Sequence, residues 1–164
     1  MRLRVATPGD HDAVATVLGA SFPALWAGVY PPELLASALP FTTRPHPPLL
    51  ASGRYYLVES EAGAPAGCGG WSGHPPGSEE ADFRRAHIRH FATHPDFIRR
   101  GVGRLLYERC EADARAVGFR TLECYSSLNG EAFYVALGFR RLEAIEVPMP
   151  GGIGFPSVRM ERPI

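Results

Sequence analysis

One stretch constrains this chain more than any other: His90-Phe-Ala-Thr-His-Pro-Asp-Phe-Ile-Arg-Arg-Gly-Val-Gly-Arg-Leu-Leu-Tyr107. It reads as a strand, a short turn and a helix. The strand spans Ala86 to about Thr93, and Pro95 ends it because proline cannot continue a ladder. The turn carries Arg99, Arg100, Gly101, Val102 and Gly103. The helix then runs from about Gly101 to Val117. Its apolar positions Val102, Leu106, Cys110, Ala114 and Val117 fall three or four apart, so one stripe faces a core. Gly118 is placed to stop it.

A glycine-bearing turn at a helix start suits an anion. The first N–H groups of a helix have no internal partners, and the helix dipole adds about half a positive charge there. Glycines let a phosphate approach the backbone, and Arg99, Arg100 and Arg104 add cationic charge. A diphosphate is the natural ligand. Judged on the turn alone, a plain basic helix entry is the better explanation, since short glycine patterns are common. No Gly-Lys-Ser/Thr follows, so this is not a Walker loop. Leu106 stands where the third glycine of a dinucleotide G-x-G-x-x-G belongs.

At 164 residues the chain is expected to form one domain, residues 1–164, with a sizeable core. Its formal net charge is zero, so no bulk field points to nucleic acid or a membrane surface. Cys68, Cys110 and Cys124 are odd in number and lack metal-ligand spacing, which favours a reduced, cytoplasmic setting and no metal. Patterned sequence begins directly after Met1, so no signal peptide is expected. No apolar run has the length of a membrane span.

The remaining chain is punctuated by turns. Arg2 to Ala6 alternates as a strand, and Asp10 begins a helix with Val14, Val17, Leu18 and Leu25 on one face; Pro23 is expected to end or kink it. Pro31-Pro32-Glu33 opens a second helix to about Leu39. Phe22, Trp26 and Tyr30 stand four apart and read as core packing or a lid rather than a substrate cage. Pro40 to Pro48 reads as an ordered loop. Tyr55–Glu59 and Pro65–Trp71 read as strands, although Gly67, Gly69 and Gly70 weaken the second unless something packs close to its backbone. His74 to Asp82 is a loop. After the central unit, Thr121–Ser126 is a strand, Asn129 caps a short helix over Gly130–Leu137, Phe139–Val147 is a strand, Pro148–Pro156 a loop and Ser157–Glu161 a last strand. The order β-α-α-β-β-β-α-β-α-β-β is an α/β fold with a mixed, mostly antiparallel sheet. The strands flanking the Gly101–Val117 helix should be parallel with a right-handed crossover.

Three segments, Phe91-Ala-Thr-His-Pro95, the Gly101-Val-Gly103 turn and Asn129-Gly-Glu-Ala-Phe-Tyr-Val-Ala-Leu-Gly-Phe139, resemble the GCN5-related N-acetyltransferase (GNAT) superfamily in order and spacing. The resemblance extends over nearly the whole chain. It implies a single-domain fold in which two parallel central strands, here Ala86–Thr93 and Thr121–Ser126, splay apart around the pantetheine arm of acetyl-CoA. Phe91, Ala92 and Thr93 would pair with that arm as an added strand does. The diphosphate would sit on the amides of Ile98, Arg99, Arg100, Gly101, Val102, Gly103 and Arg104. Asn129 matches the family asparagine near the pantetheine. Ile98 departs from the family pattern, which has Gln or Arg at that position. The amide cradle survives this, whereas a bracing side-chain bond does not, unless Arg99 or Arg100 substitutes.

Acetyl transfer needs a neutral amine, a polarised carbonyl and a proton for the departing thiolate. By the resemblance, Tyr134 donates that proton. His87, eleven residues before Ile98, is the first choice of base and Glu123 the second. An edge-strand histidine and an exposed sheet glutamate are the competing readings of those two. His90 faces away from His87 if the strand has no bulge. His94 is expected to be structural, and a backbone N–H near Thr93 to support the carbonyl. The acceptor would lie among Phe22–Leu39, His74–Arg85 and Pro148–Pro156. Its expected class is a small-molecule amine, with a peptide acceptor open. A homodimer is compatible with the sequence. The alternative from another class is a non-catalytic acyl-CoA-binding sensor or interaction module. A nucleic-acid binder using Arg84, Arg85, Arg89, Arg99 and Arg100 would need those residues on one surface.

Overall fold

Alternating strands and amphipathic helices assemble into one seven-stranded sheet with helices on both faces. The computed structural model describes residues 1–164. Strand β1 (Arg2–Val5) is followed by helices α1 (His11–Trp26), α2 (Pro32–Thr42) and α3 (Pro47–Ala51). Strands β2 (Tyr55–Glu59), β3 (Pro65–Ser72) and β4 (Ala86–Thr93) lead to α4 (Val102–Val117). Strand β5 (Thr121–Ser127), α5 (Glu131–Ala136), β6 (Arg140–Met149) and β7 (Ile153–Pro163) complete the chain. The sheet order is β1-β2-β3-β4-β5-β7-β6. Every pairing is antiparallel except β4 with β5, the pair joined through α4. No helix is long and apolar enough to cross a membrane.

The sheet divides the core in two. On one face α4 lays Leu106, Cys110 and Ala114 against Tyr56, Trp71 and Leu122. On the other, α1 to α3 cover Tyr55, Leu57 and Cys68 with Val17, Leu18 and Leu50. The glycines of β3 make this close fit possible. A Cβ on Gly67 would collide with Val102 Cγ1 of α4, and one on Gly69 with the Phe91 ring. Phe22, Trp26 and Tyr30 are buried, with Phe22 stacked on Trp26 at 4.3 Å and Trp26 edge-on to Tyr30 at 5.7 Å. They are core, as the spacing suggested.

Several prolines behave differently from their sequence reading. α1 does not end at Pro23. It buries Val14, Val17, Leu18, Phe22 and Trp26 against the sheet, and that burial outweighs the roughly 3 kcal/mol a mid-helix proline costs. α2 likewise passes through Pro40 to Thr42, and the supposed Pro40–Pro48 loop contains the start of a further helix, α3, at Pro47. The Pro148–Pro156 segment is not a loop. β6 and β7 stay paired out to Pro148↔Gly154 and Met149↔Ile153. Pro148 lies on the edge strand, and Pro156 lies beyond the last β5–β7 pair at Ser157, so each has a ladder neighbour on one side only, where proline is tolerated. α4 starts at Val102, with Gly101 as its left-handed cap residue (φ +81°). Asn129 caps nothing. It sits in a one-turn 3₁₀ helix, Leu128–Gly130, and Gly130 precedes α5.

Candidate active site

The parallel ladder between β4 and β5 is short. It contains only Ala86↔Leu122 and His87↔Glu123. Beyond these pairs the strands diverge, and Phe91, Ala92 and Thr93 lie on β4 past the opening. There Phe91 covers Gly69, Ala92 is buried in the α1-side core, and Thr93 pairs outward with Gly67.

The turn beyond β4 is rich in free donors. His94 Nδ1 accepts from the Asp96 N–H and so caps the 3₁₀ turn Pro95–Phe97, a structural role. The Ile98 N–H points at Pro95 O across 3.4 Å. The six N–H groups from Arg99 to Arg104 have no acceptor in the protein, and the Leu105 N–H is the first to bond, to Gly101 O at 2.9 Å. Gly101 and Arg99 both hold left-handed backbone, φ +81° and +59°, which turns successive amides toward one side. Arg99, Arg100 and Arg104 are exposed and Ile98 is 42 % exposed. Gly103 admits the next helix: a Cβ there would lie 2.9 Å from the Phe133 ring. Thus α5 is seated directly on the first turn of α4.

That seat positions Tyr134. Its ring lies edge-on to Phe133 and Phe139, with centroids 5.0 and 5.3 Å apart. The residue is 7 % exposed. Burial, with the neighbouring Cys124 and Cys110 thiols, pushes its hydroxyl pKa well above the usual tyrosine value, so the group stays protonated at neutral pH. Asn129 is exposed, its Oδ1 accepting from Ser127 Oγ at 2.8 Å.

At the mouth of the divergence a cleft of about 520 Å³ opens between the 73–85 loop and strands β4 to β7. His87 lies on its wall, 2 % exposed. Its Nε2 is 2.9 Å from Asp82 Oδ2 and its Nδ1 is 3.7 Å from Glu123 Oε1. Nδ1 is sealed and has no hydrogen-bond partner. Burial lowers the His87 pKa despite the opposing pull of Asp82 and Glu123. Asp82 is itself shifted down: burial would raise it, but the Arg84 and Arg85 N–H groups and His87 together outweigh that. Glu123 is 3 % exposed, not a free surface carboxylate. Its Oε2 lies 3.1 Å from Arg159 and 3.6 Å from Arg85, and Arg159 also reaches Glu143 at 2.9 Å.

Asp82 closes the His74–Asp82 loop, and nothing local in the sequence singles out Arg159 or Glu143. The available signal was the Asp82-Phe-Arg-Arg85 run, which closes a turn onto its own N–H groups. His90 also departs from simple alternation. Two residues, His90 and Phe91, oppose Gly69 where the β3–β4 register shifts, and His90 takes φ +55°. The bulge turns His90 toward α1 and α2, where its ring packs near Phe22 and its Nε2 donates to Thr42 O at 2.7 Å. It therefore shares the face of His87. The five arginines considered for nucleic acid are dispersed: Arg89 is buried, Arg85 lines the cleft with the exposed Arg84 beside it in the chain, and Arg99 and Arg100 lie at the turn.

The family model described as the Acetyltransferase (GNAT) family matches residues 17–139. A GCN5-related N-acetyltransferase from Rhodopseudomonas palustris superposes with a TM-score of 0.79 at 24 % identity, covering 99 % of this chain and 95 % of its own. A PaiA N-acetyltransferase from Thermoplasma acidophilum in complex with coenzyme A gives 0.73 at 16 % identity, over 99 % and 98 %. A phosphinothricin acetyltransferase from Sinorhizobium meliloti in complex with AcCoA gives 0.64 at 21 % identity, over 99 % and 88 %. At these identities the likeness speaks for the fold. No curated protein is significantly similar in sequence.

Proposed function

The chain belongs to the acetyltransferase (GNAT) family, and on that premise we propose that it is an acetyl-CoA-dependent N-acetyltransferase acting on a primary amine of a small molecule. One observation carries this reading. Six unpaired main-chain donors at residues 99–104 stand at the outer end of a divergence whose inner end holds His87, Glu123 and the charged cleft. The donors and three exposed arginines fit a diphosphate. The unpaired inner strand edges fit the amides of a pantetheine arm. Bound acetyl-CoA supplies the activated acetyl thioester; the chain supplies position and proton movement.

His87 is the base. Nδ1 is sealed, so the amine's proton is taken at the other end of the ring, where Nε2 and Asp82 meet on the cleft wall, and burial keeps the ring neutral beforehand. On taking the ammonium proton the ring lies between two carboxylates, which favours the charged form. Glu123 holds that charge balance and is itself held by Arg159 and Arg85. Tyr134 donates to the leaving sulfur, and a β4 backbone N–H near Thr93 polarises the carbonyl. Phe91, Ala92, Thr93 and Asn129 line the path of the arm. The buried, unpaired cysteines suit a reducing compartment such as the cytoplasm.

Amine-dependent release of free thiol from acetyl-CoA, measured over a panel of small amines and peptides, tests the assignment. Ile98 at the turn is the feature favouring a non-catalytic acyl-CoA-binding module. Tight acetyl-CoA binding with no thiol release from any amine would establish that module instead.

A further inference from the structure

Arg89 is a buried cation without a counterion. It lies two positions after His87 on the same face of β4 and is 8 % exposed. None of the ion pairs of the protein includes it. Its Nη1 donates to Ser72 Oγ at 2.9 Å and approaches His74 Nδ1 at 3.4 Å. Its Nε and Nη2 have no protein partner, yet neither is among the sealed polar atoms, so both keep some contact with solvent. The surrounding titratable groups are not carboxylates. His74 is in contact, Arg89 and His74 act electrostatically on His46, and Tyr55 is the one group that favours the Arg89 charge. An isolated guanidinium taken out of water is expensive to hold, and a fork of free N–H groups matches a carboxylate.

Charge is therefore graded along one face of the sheet. Around His87 the cleft carries Asp82, Glu123, Glu143 and Glu146, with Arg85 and Arg159 paired to carboxylates. One turn of pleat further on, about 7 Å along the strand, stands the unpaired guanidinium. His74, which touches it, adjoins Pro75 on the cleft wall. We propose that the acceptor is zwitterionic, an amino acid or an amino-acid-like amine whose carboxylate seats on Arg89 while its amino group lies at His87. This rests on the acetyltransferase reading above and names the substrate class of that site. Arg89 is a specificity-determining residue here. The acidic groups near His87 draw the ammonium end, and the cationic basin fixes the opposite end, so the molecule enters in one orientation.

The test compares matched acceptors: α- and ω-amino acids against their carboxamides, with acetyl-CoA saturating, for the wild-type protein and for Arg89→Gln and Arg89→Lys. The wild type should favour the free acids by about tenfold or more in kcat/KM. Arg89→Gln should bring that ratio near one, chiefly through KM for the acids, and Arg89→Lys should restore part of it. Wild-type indifference to the carboxylate, or an equal loss on acids and carboxamides in Arg89→Gln, overturns the proposal. If no amine is acetylated, the enzyme reading fails by itself, and a thermal-shift series decides the Arg89 question. Free amino acids at about 10 mM should raise the melting temperature of the wild type more than their carboxamides do, and Arg89→Gln should lose the difference. Equal shifts, or none, overturn it. Folding of the variants is read in the same scans.

Discussion

As the proposed base, His87 must be neutral to take a proton and must tolerate charge once it has. Burial serves the first need, and Asp82 with Glu123 the second. Because burial sets its pKa below the ordinary 6.5, the base form is already populated in mildly acidic solution. The acid limb of kcat/KM should therefore inflect below 6.5, and His87→Gln should remove the inflection and cost about 10²–10⁴ in rate. A pH–rate profile with saturating acetyl-CoA reads both; an inflection unchanged in the variant would exclude His87 as base. Tyr134→Phe should lower kcat by a similar order, while the acetyl-CoA dissociation constant from calorimetry stays within about twofold. Unchanged turnover would remove Tyr134 from the mechanism. His90, on the same face, belongs to stability instead. Burial, opposed by the Thr42 carbonyl, takes its pKa to about 4 from 6.5. A histidine lowered on folding binds protons first in the unfolded chain. Stability is thus fully present above pH 6.5 and is lost as pH falls toward 4, by up to about 3 kcal/mol. Denaturant melts of His90→Gln should show a flatter profile across that window. Neither His90's orientation nor the pairing of Asp82 with His87 was legible in the chain. A bulge and a returning loop, both tertiary features, create them.

The strand–turn–helix unit was legible because its signals are local. Pro95, the turn glycines, the apolar stripe of α4 and Gly118 each act within a few residues, and the helix runs Val102–Val117 with Gly118 at its end. The two strands β6 and β7 were also read, but their paired end over Pro148–Pro156 was not, because whether a proline there meets a second neighbouring strand is decided by the whole sheet. The glycines of the central unit show the difference in another way. Gly101 is required by its own left-handed backbone, a local demand. Gly103 is required by Phe133 of another helix. Gly103→Ala should therefore destabilise by about 1–3 kcal/mol, since the 2.9 Å approach leaves no room for a methyl group unless the Phe133 ring gives way. It should also tilt α5, and with it Tyr134, so that kcat falls further than stability alone explains. Chemical melts paired with kinetics at a temperature where the variant is folded separate the two effects. A variant as stable and as active as wild type would show that the ring moves aside freely.

At the scale of the molecule, the sheet is two halves joined by a short seam. Strands β1 to β4 form one half and β5 to β7 the other, and two residue pairs connect them along the central ladder. The helices brace this seam from both faces, but the strand edges beyond it have no partner. A sheet interrupted in this way leaves main-chain donors and acceptors for a ligand that lies across the opening. Such a ligand should add hydrogen bonds to both halves at once and accept from the amides of residues 99–104. Binding should stiffen the junction rather than merely occupy a pocket. Acetyl-CoA at about a hundred times its dissociation constant should add about 2.7 kcal/mol. For a chain of this size that corresponds to a rise of roughly 5–10 °C in melting temperature. Amide hydrogen exchange should slow at residues 99–104 and along Phe91–Thr93 in the same experiment. Fragments of coenzyme A that hold either the diphosphate or the arm locate the contribution of the turn. A fragment carrying the diphosphate should protect 99–104 but not the strand, and pantetheine the reverse. Protection that appears only at the turn, with the strand edges still exchanging freely under acetyl-CoA, would mean that the arm does not enter the divergence, and the path toward His87 and Tyr134 would have to be drawn elsewhere.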